Sequence, residues 1–346
     1  MNKIQKEDIK DFANSFELSA FLAQSNILVT GATGLIGSTL VHCLLALNKG
    51  IKITCPVRSL AKAKDMYGED AGRIHFIECN LIEYLNNLRE KDAFQYIVHG
   101  ASPTAGKYMT EHPVETYMFA IDSTHAILKY AKKTKASVVY VSSLEYYGQN
   151  FDDKEINEEF QGYVDNSNPR SSYPLGKRSA EFLCSAYSQQ YYVNVKVARL
   201  TQTFGAGVAS DDNRVFAQFA RSLINDTDII MHSTGESAKP YCYTTDSISA
   251  ILYILLKGKK GEAYNVANSN TYISIRDMAE FLRENFNPKI KVLIKEQPKM
   301  GYAPVTKLNL STTKLESLGW SPKYGLKEMY EKLITGMKYE TDKRNQ

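Results

Sequence analysis

Tyr173 and Lys177, in the run Tyr173-Pro174-Leu175-Gly176-Lys177, have the residue types and the four-residue spacing of a proton-transfer pair. Pro174 suits the opening of a helix, which puts Tyr173 at the helix start and Lys177 one turn later on the same side. An ammonium beside a phenol favours the tyrosinate. Moving a phenol from pKa ~10 toward neutrality takes about three units, or ~4 kcal/mol, which a close, partly desolvated cation can supply. Ser142 and Ser143 end an apolar run thirty residues upstream. From there Ser143 can hydrogen-bond the oxygen of a hydroxyl whose proton Tyr173 takes while hydride leaves the same carbon.

A second constellation accounts for where that hydride goes. In Ile27-Leu28-Val29-Thr30-Gly31-Ala32-Thr33-Gly34-Leu35-Ile36-Gly37 three glycines follow an apolar strand and open a helical pattern. One permits the tight turn, the next lets backbone N–H groups approach a pyrophosphate, and the third allows close helix–strand packing above a favourable helix N-terminus. At the end of the next apolar run stand Pro56, Val57, Arg58 and Ser59, with no carboxylate to grip an adenosine 2'-hydroxyl. Arg58 suits a 2'-phosphate and favours NADP over NAD, although the same side chain can stack on adenine or face solvent.

The elements that must position these groups follow a strand–helix rhythm. Apolar runs at 26–30, 51–57, 74–78, 96–99 and 137–142 alternate with helical or polar segments, among them a periodic helix at 35–47. That alternation predicts an α/β fold, a doubly wound parallel sheet of Rossmann type covered on both faces. Helices at 173–192 and 247–256 and strands at 194–199 and 263–267 continue it, whereas 203–240 and 269–324 are richer in Gly, Pro, Asn and charge and read as a smaller second lobe. The expected division is a helical lead-in at 1–24, a NAD(P)-binding domain at 25–202, and a mainly substrate-binding lobe at 203–346 from which 241–268 returns to the first domain.

Composition bounds the partners. A length of 346 residues suits about two domains. Forty-two Lys and Arg against 38 Asp and Glu leave a formal charge of +4, too small a bias to argue for nucleic acid or an anionic membrane. The longest apolar stretch, 248–256, is under half of the ~20 residues that cross a bilayer, and the first ten residues are charged without an apolar run behind them. Five scattered cysteines without a C-x-x-C pair and six scattered histidines give no metal spacing and suggest a reduced, cytoplasmic setting.

Taken together, the G-x-x-G-x-x-G loop and the Tyr-x-x-x-Lys pair resemble the short-chain dehydrogenase/reductase superfamily, and further motifs resemble its extended branch of nucleotide-sugar epimerases and dehydratases. His99-Gly100-Ala101-Ser102-Pro103 with Tyr108 and His112-Pro113 looks most like UDP-glucuronate decarboxylases. Ser143-Leu144-Glu145-Tyr146-Tyr147-Gly148 is similar to a segment those enzymes share with sugar 4,6-dehydratases. Arg214-Val215, the run 235–243 and Leu318-Gly319-Trp320-Ser321-Pro322 match substrate-lobe and C-terminal signatures.

The resemblance implies catalytic roles for Ser143, Glu145, Tyr173 and Lys177. It implies cofactor contacts from Gly31, Thr33, Gly34, Leu35, Ile36, Gly37, Arg58, Asn80, Leu81, Ala101, Tyr173 and Lys177, and contacts to a nucleoside-diphosphate sugar from Ser102, Tyr108, Gln202, Arg214 and Lys239. It implies oxidation of the sugar at C4 with bound NADP or NAD, then dehydration, with Glu145 removing the C5 proton, or decarboxylation of a uronic acid. A homodimer through helices 113–133 and 173–192 is also implied. The alternatives are a 4-epimerase, an NADPH-dependent ketone reductase and a non-enzymatic dinucleotide-sensing protein. Four positions depart from the pattern: Leu144 replaces an Asp or Ser, Ala120 an active-site Asn, Gln202 an Asn, and Lys239 an Arg whose bidentate fork a Lys lacks.

Overall fold

The structure, a computed structural model, describes residues 1–295 and 305–344. Residues 296–304, part of the segment expected to build the second lobe, lie outside the described residues. In chain order the first half holds α1 (Lys3–Ser15), β1 (Asn26–Thr30), α2 (Leu35–Ala46), β2 (Lys52–Val57), α3 (Leu60–Tyr67), β3 (His75–Glu78), α4 (Leu81–Asn86), β4 (Tyr96–His99), α5 (Gly106–Glu111), α6 (Pro113–Thr134), β5 (Ser137–Ser143), β6 (Glu155–Ile156), α7 (Ser172–Tyr191) and β7 (Val195–Leu200). The second half holds β8 (Gln202–Phe204), α8 (Val215–Ile224), β9 (Ile229–Met231), β10 (Ala238–Tyr243), α9 (Thr244–Lys257), β11 (Ala263–Val266), β12 (Asn268–Ser274), α10 (Ile275–Phe286), β13 (Val292–Ile294), β14 (Asn309–Leu310), α11 (Thr313–Glu316) and α12 (Leu326–Arg344).

Seven strands pair in parallel in the order β11-β7-β5-β4-β1-β2-β3. Their near-continuous apolar sequences reflect burial on both faces: Ile27, Leu28, Val29, Val139, Val195 and Val266 are fully covered. The chain leaves β1 toward one edge and returns through β4 toward the other, so the carboxyl ends of β1 and β4 flank a topological switch point, where such sheets bind ligands. The expected doubly wound architecture is what the strands form.

A separate three-stranded sheet, β12-β10-β8, carries its own core of Phe204, Phe216, Tyr241, Met278 and Tyr330. The chain comes back from β10 to the large sheet through α9, whose Ile248, Ile251 and Leu252 pack in the same core as Leu40 and Val41 of α2. Helix α1 ties the two cores together. Its Ile9 and Phe12 join the core shared with α2 and α9, while buried Asp8 accepts hydrogen bonds from Tyr243 (2.5 Å) and Lys332 (2.6 Å), and Asn2 donates to the Ala206 carbonyl (2.7 Å). No helix among the described residues is long and apolar enough to cross a membrane.

Candidate active site

The glycine loop lies at the switch point. Gly31 sits at φ +78°, and a Cβ there would come within 2.9 Å of the Ala101 nitrogen, so glycine is required both by conformation and by the close approach of the β4–α5 loop. A Cβ on Gly37 would lie 2.2 Å from the Gly31 oxygen, which explains why α2 can pack so tightly on the turn. Gly34, the residue before α2, is different, since a Cβ there meets nothing nearer than the Gly31 oxygen at 3.5 Å. It supplies no side-chain cap, so the first helical N–H groups, from Leu35 onward, remain available to an anion. Thr33 and Gly34 are exposed and Leu35 and Ile36 half-buried along this opening. These features fit the pyrophosphate of a dinucleotide.

Neighbouring expected contacts are placed around the same end of the sheet. Ala101 donates to the Thr30 hydroxyl (3.1 Å), which also bonds His99 Nδ1 (2.7 Å), while His99 Nε2 meets Ser123 (3.0 Å). Burial, with the Lys177 charge adding to it, pushes the His99 pKa down to about 3, so a neutral imidazole joins the ends of β1 and β4. The side chain of Asn80 caps α4 by accepting from Ile82 and Glu83 nitrogens, and Leu81 opens that helix. Arg58 is exposed just beyond β2. The end of β2 itself carries no carboxylate, as expected, but Glu78, at the end of β3, accepts from the Leu60 nitrogen (3.1 Å) two residues past Arg58. Parallel pairing brings it there, which the β2 sequence does not reveal.

The residues expected to transfer protons meet where β5 ends and α7 begins. Ser143 accepts from the Glu145 nitrogen (3.2 Å), and its side chain is near enough to Tyr173 to lower that phenol's pKa. Lys177 is 4% exposed and donates to the Val141 carbonyl (2.9 Å), with Nζ 5.5 Å from the centre of the Tyr173 ring. Gly176 lets α6 approach, since a Cβ there would come 3.3 Å from the Ala120 methyl group. An Asn at position 120 would crowd this helix contact.

The electrostatics reverse one expectation. Burial raises the Tyr173 phenol and the Glu145 charge raises it further, while the Ser143 hydrogen bond and the Arg170 charge offset part of this. Desolvation outweighs a cation whose Nζ is engaged by a backbone carbonyl, and the Lys177 pKa itself is pushed down to about 8 by burial, with Glu181 opposing.

Glu145 is not a free carboxylate. Arg170 Nη2 lies 2.9 Å from each of its oxygens, and the guanidinium carbon is 5.9 Å from the centre of the Tyr173 ring. Lys239, on β10, also feels the Glu145 charge, which partly offsets the lowering of its pKa by burial. The structure therefore gathers Ser143, Glu145, Tyr173, Lys177 and Lys239, and adds Arg170. The other expected substrate contacts make no hydrogen bond to that cluster among the described residues: Gln202 is half-buried at the start of β8, the Ser102 hydroxyl donates to the Pro103 carbonyl (3.4 Å), and exposed Tyr108 lies against the His112 ring at a tilt. Arg214, at the head of α8, is paired with Asp212 (2.6 Å).

Two further residues escaped sequence reasoning. Glu181 receives Arg199 through both Nε (3.0 Å) and Nη2 (2.7 Å) and accepts from Ser142, while Arg199 Nη1 donates to Tyr147 (3.0 Å) and the Glu158 carbonyl (2.6 Å). Glu181 falls four residues after Lys177, on the same helix face, and that periodicity could have revealed it. Arg170 offered no such signal. Among the described residues no group of three or more His, Cys, Asp or Glu side chains forms a metal set.

Comparison with known proteins agrees with this geometry. The family model described as "NAD dependent epimerase/dehydratase family" matches residues 27–267. UDP-glucuronic acid decarboxylase 5 of Arabidopsis thaliana is 30% identical over 316 residues, covering 88% of this chain and 87% of the relative. UDP-glucuronic acid decarboxylase 1 of Xenopus tropicalis is 27% identical, covering 96% and 77%. Among solved structures, the UDP-glucose 4-epimerase of Thermotoga maritima superimposes with a TM-score of 0.77 at 20% identity, covering 91% of this chain and 99% of that one. The dTDP-glucose 4,6-dehydratase of Bacillus anthracis gives 0.73 at 23%, covering 92% and 98%.

Proposed function

The chain belongs to the NAD dependent epimerase/dehydratase family, and from that premise we propose that it oxidises a nucleoside-diphosphate sugar at C4 and decarboxylates the 4-keto form of a uronic acid. The glycine loop and the head of α2 would hold a nicotinamide dinucleotide, which would supply the hydride acceptor and, later, donor. Tyr173 in its tyrosinate form, a minor species given the raised pKa of the buried phenol, takes the C4 hydroxyl proton while Ser143 holds the same oxygen. The resulting ketone stands β to the C6 carboxylate, so the C5–C6 bond can break, its electron pair passing to the C4 oxygen where Tyr173 and Ser143 stabilise the enolate. Lys177 adds a buried positive charge behind the phenol.

The observation that carries decarboxylation over 4,6-dehydration is the pairing of Glu145 with Arg170. Dehydration needs a carboxylate free to remove the C5 proton. Both Glu145 oxygens face a guanidinium instead, whereas loss of carbon dioxide requires no base at C5. Dehydration remains the second reading because Glu145 lies only two residues beyond Ser143. Incubating the protein with UDP-glucuronate, UDP-glucose and dTDP-glucose and reading products by mass tests this. Loss of carbon dioxide from the uronate is expected; loss of water from a hexose would replace the reading with dehydration, and unchanged mass with altered NMR couplings would replace it with 4-epimerisation.

Arg58 supports a preference for NADP, with Glu78 nearby as the opposing feature. Arg58→Ala should weaken NADP by ~1.5–3 kcal/mol more than NAD, measured by calorimetry. Equal losses would mean that Arg58 stacks or faces water. A homodimer through α6 and α7 is supported by exposed Val114, Met118 and Phe182, and light scattering would test it.

A further inference from the structure

The Glu145–Arg170 pair is engaged along one edge only. Arg170 offers Nη2 to both Glu145 oxygens, while its Nε and Nη1 make no hydrogen bond to any described residue, and both side chains are 37% exposed. Its backbone is firmly held: the residue lies in the one-turn helix Pro169–Ser171, where Asn168 accepts from the Arg170 nitrogen (2.9 Å), and α7 follows directly. A planar fork with unused donors, on a rigid mount three residues before Tyr173, matches a second carboxylate better than it matches Glu145 alone. The local charge points the same way. Arg170 and Lys239 set two cations against the single anion Glu145, so a neutral sugar leaves a surplus positive charge that a sugar carboxylate would balance.

We propose that Arg170 is a specificity-determining residue that binds the C6 carboxylate of a nucleoside-diphosphate uronic acid through the edge Glu145 leaves open. This rests on the reading of the site given above and names the residue that selects its substrate class. No bond is made or broken in this step. Glu145 keeps the guanidinium oriented until the substrate carboxylate arrives.

The test uses calorimetry on the full chain with its dinucleotide bound, in a Tyr173→Phe background to prevent turnover, with UDP-glucuronate and UDP-glucose as the two probes. The parent should bind UDP-glucuronate at least tenfold more tightly than UDP-glucose. Adding Arg170→Gln should weaken UDP-glucuronate 10- to 100-fold and change UDP-glucose less than twofold. Arg170→Lys, which keeps the charge without the fork, should recover part of the preference and serves if the Gln variant does not fold. Equal losses for both probes, or an undiminished preference in both variants, would overturn the proposal and leave Arg170 as a brace for Glu145. The two readings fail separately. If wild-type protein releases carbon dioxide from UDP-glucuronate and the variants keep the preference, only the role of Arg170 is wrong; if wild-type protein neither binds nor converts UDP-glucuronate, the decarboxylase reading falls and takes this proposal with it.

Discussion

Two Glu–Arg pairs lie along the same stretch of chain around α7, and they differ in almost every physical respect. Glu181–Arg199 is 7% and 5% exposed, bidentate, and surrounded by Ser142, Tyr147 and the Glu158 carbonyl. Glu145–Arg170 is 37% exposed on both sides and is made by a single nitrogen. The first pair has its hydrogen-bonding capacity nearly filled, as a buried ion pair must to offset its desolvation. The second has capacity to spare. Saturation and burial thus separate a pair that locks β5, β7 and α7 together from one with donors to spare.

The largest expected effect comes from breaking the saturated pair. Glu181→Ala strands Arg199 as a buried, uncompensated charge and should lower unfolding stability by about 3–5 kcal/mol, read as a drop in the urea midpoint. A loss below about 1 kcal/mol would show that water reaches this pair and erase the contrast. Next, Tyr173→Phe keeps the ring packing and removes the proton carrier. Turnover should fall by roughly 10²-fold or more, equivalent to about 2.7 kcal/mol of barrier, with an unchanged urea midpoint. Near-normal turnover would remove Tyr173 from the chemistry.

A pH profile sharpens the comparison further, because Lys177 feels both carboxylates. Its pKa is lowered to about 8, so the charged form is present below that pH and is lost as pH rises through it. The charged fraction of Lys177 should fall about tenfold per pH unit well above 8, and Glu181→Gln, which removes a charge that opposes the lowering, should move this alkaline limb, followed by NMR of the Lys177 side chain, to lower pH. A limb that stays in place would mean that Lys177 and Glu181 are uncoupled. The smallest effect belongs to the open pair: Arg170→Ala should cost no more than about 1 kcal/mol of stability, since half-exposed ion pairs contribute little.

Much of this molecule is legible in the order of its residues. The runs at 26–30, 51–57, 74–78 and 96–99 form β1 to β4 within a residue of the expected limits. The glycine loop sits where strand gives way to helix, and Tyr173 and Lys177 fall one turn apart. All of these rest on short-range periodicity, which a linear reading captures. Glu181 is within reach of the same reasoning, one further turn along α7.

What surrounds Glu145 is a different matter. Arg170 lies 25 residues away in sequence, and Lys239 comes from another sheet, so neither spacing nor composition joins them. The Tyr173 pKa moves against the sequence expectation for a related reason: the helix places a lysine near the phenol, but burial and a carboxylate delivered by the β5 turn decide the direction. Hydrophobic pattern and local geometry are properties of neighbouring residues, so the chain sequence determined the strands, the glycine loop and the one-turn spacing of Tyr173 and Lys177. Desolvation and Coulomb interaction depend on distance through space, so only the tertiary structure decided which charges meet and which keep donors to spare.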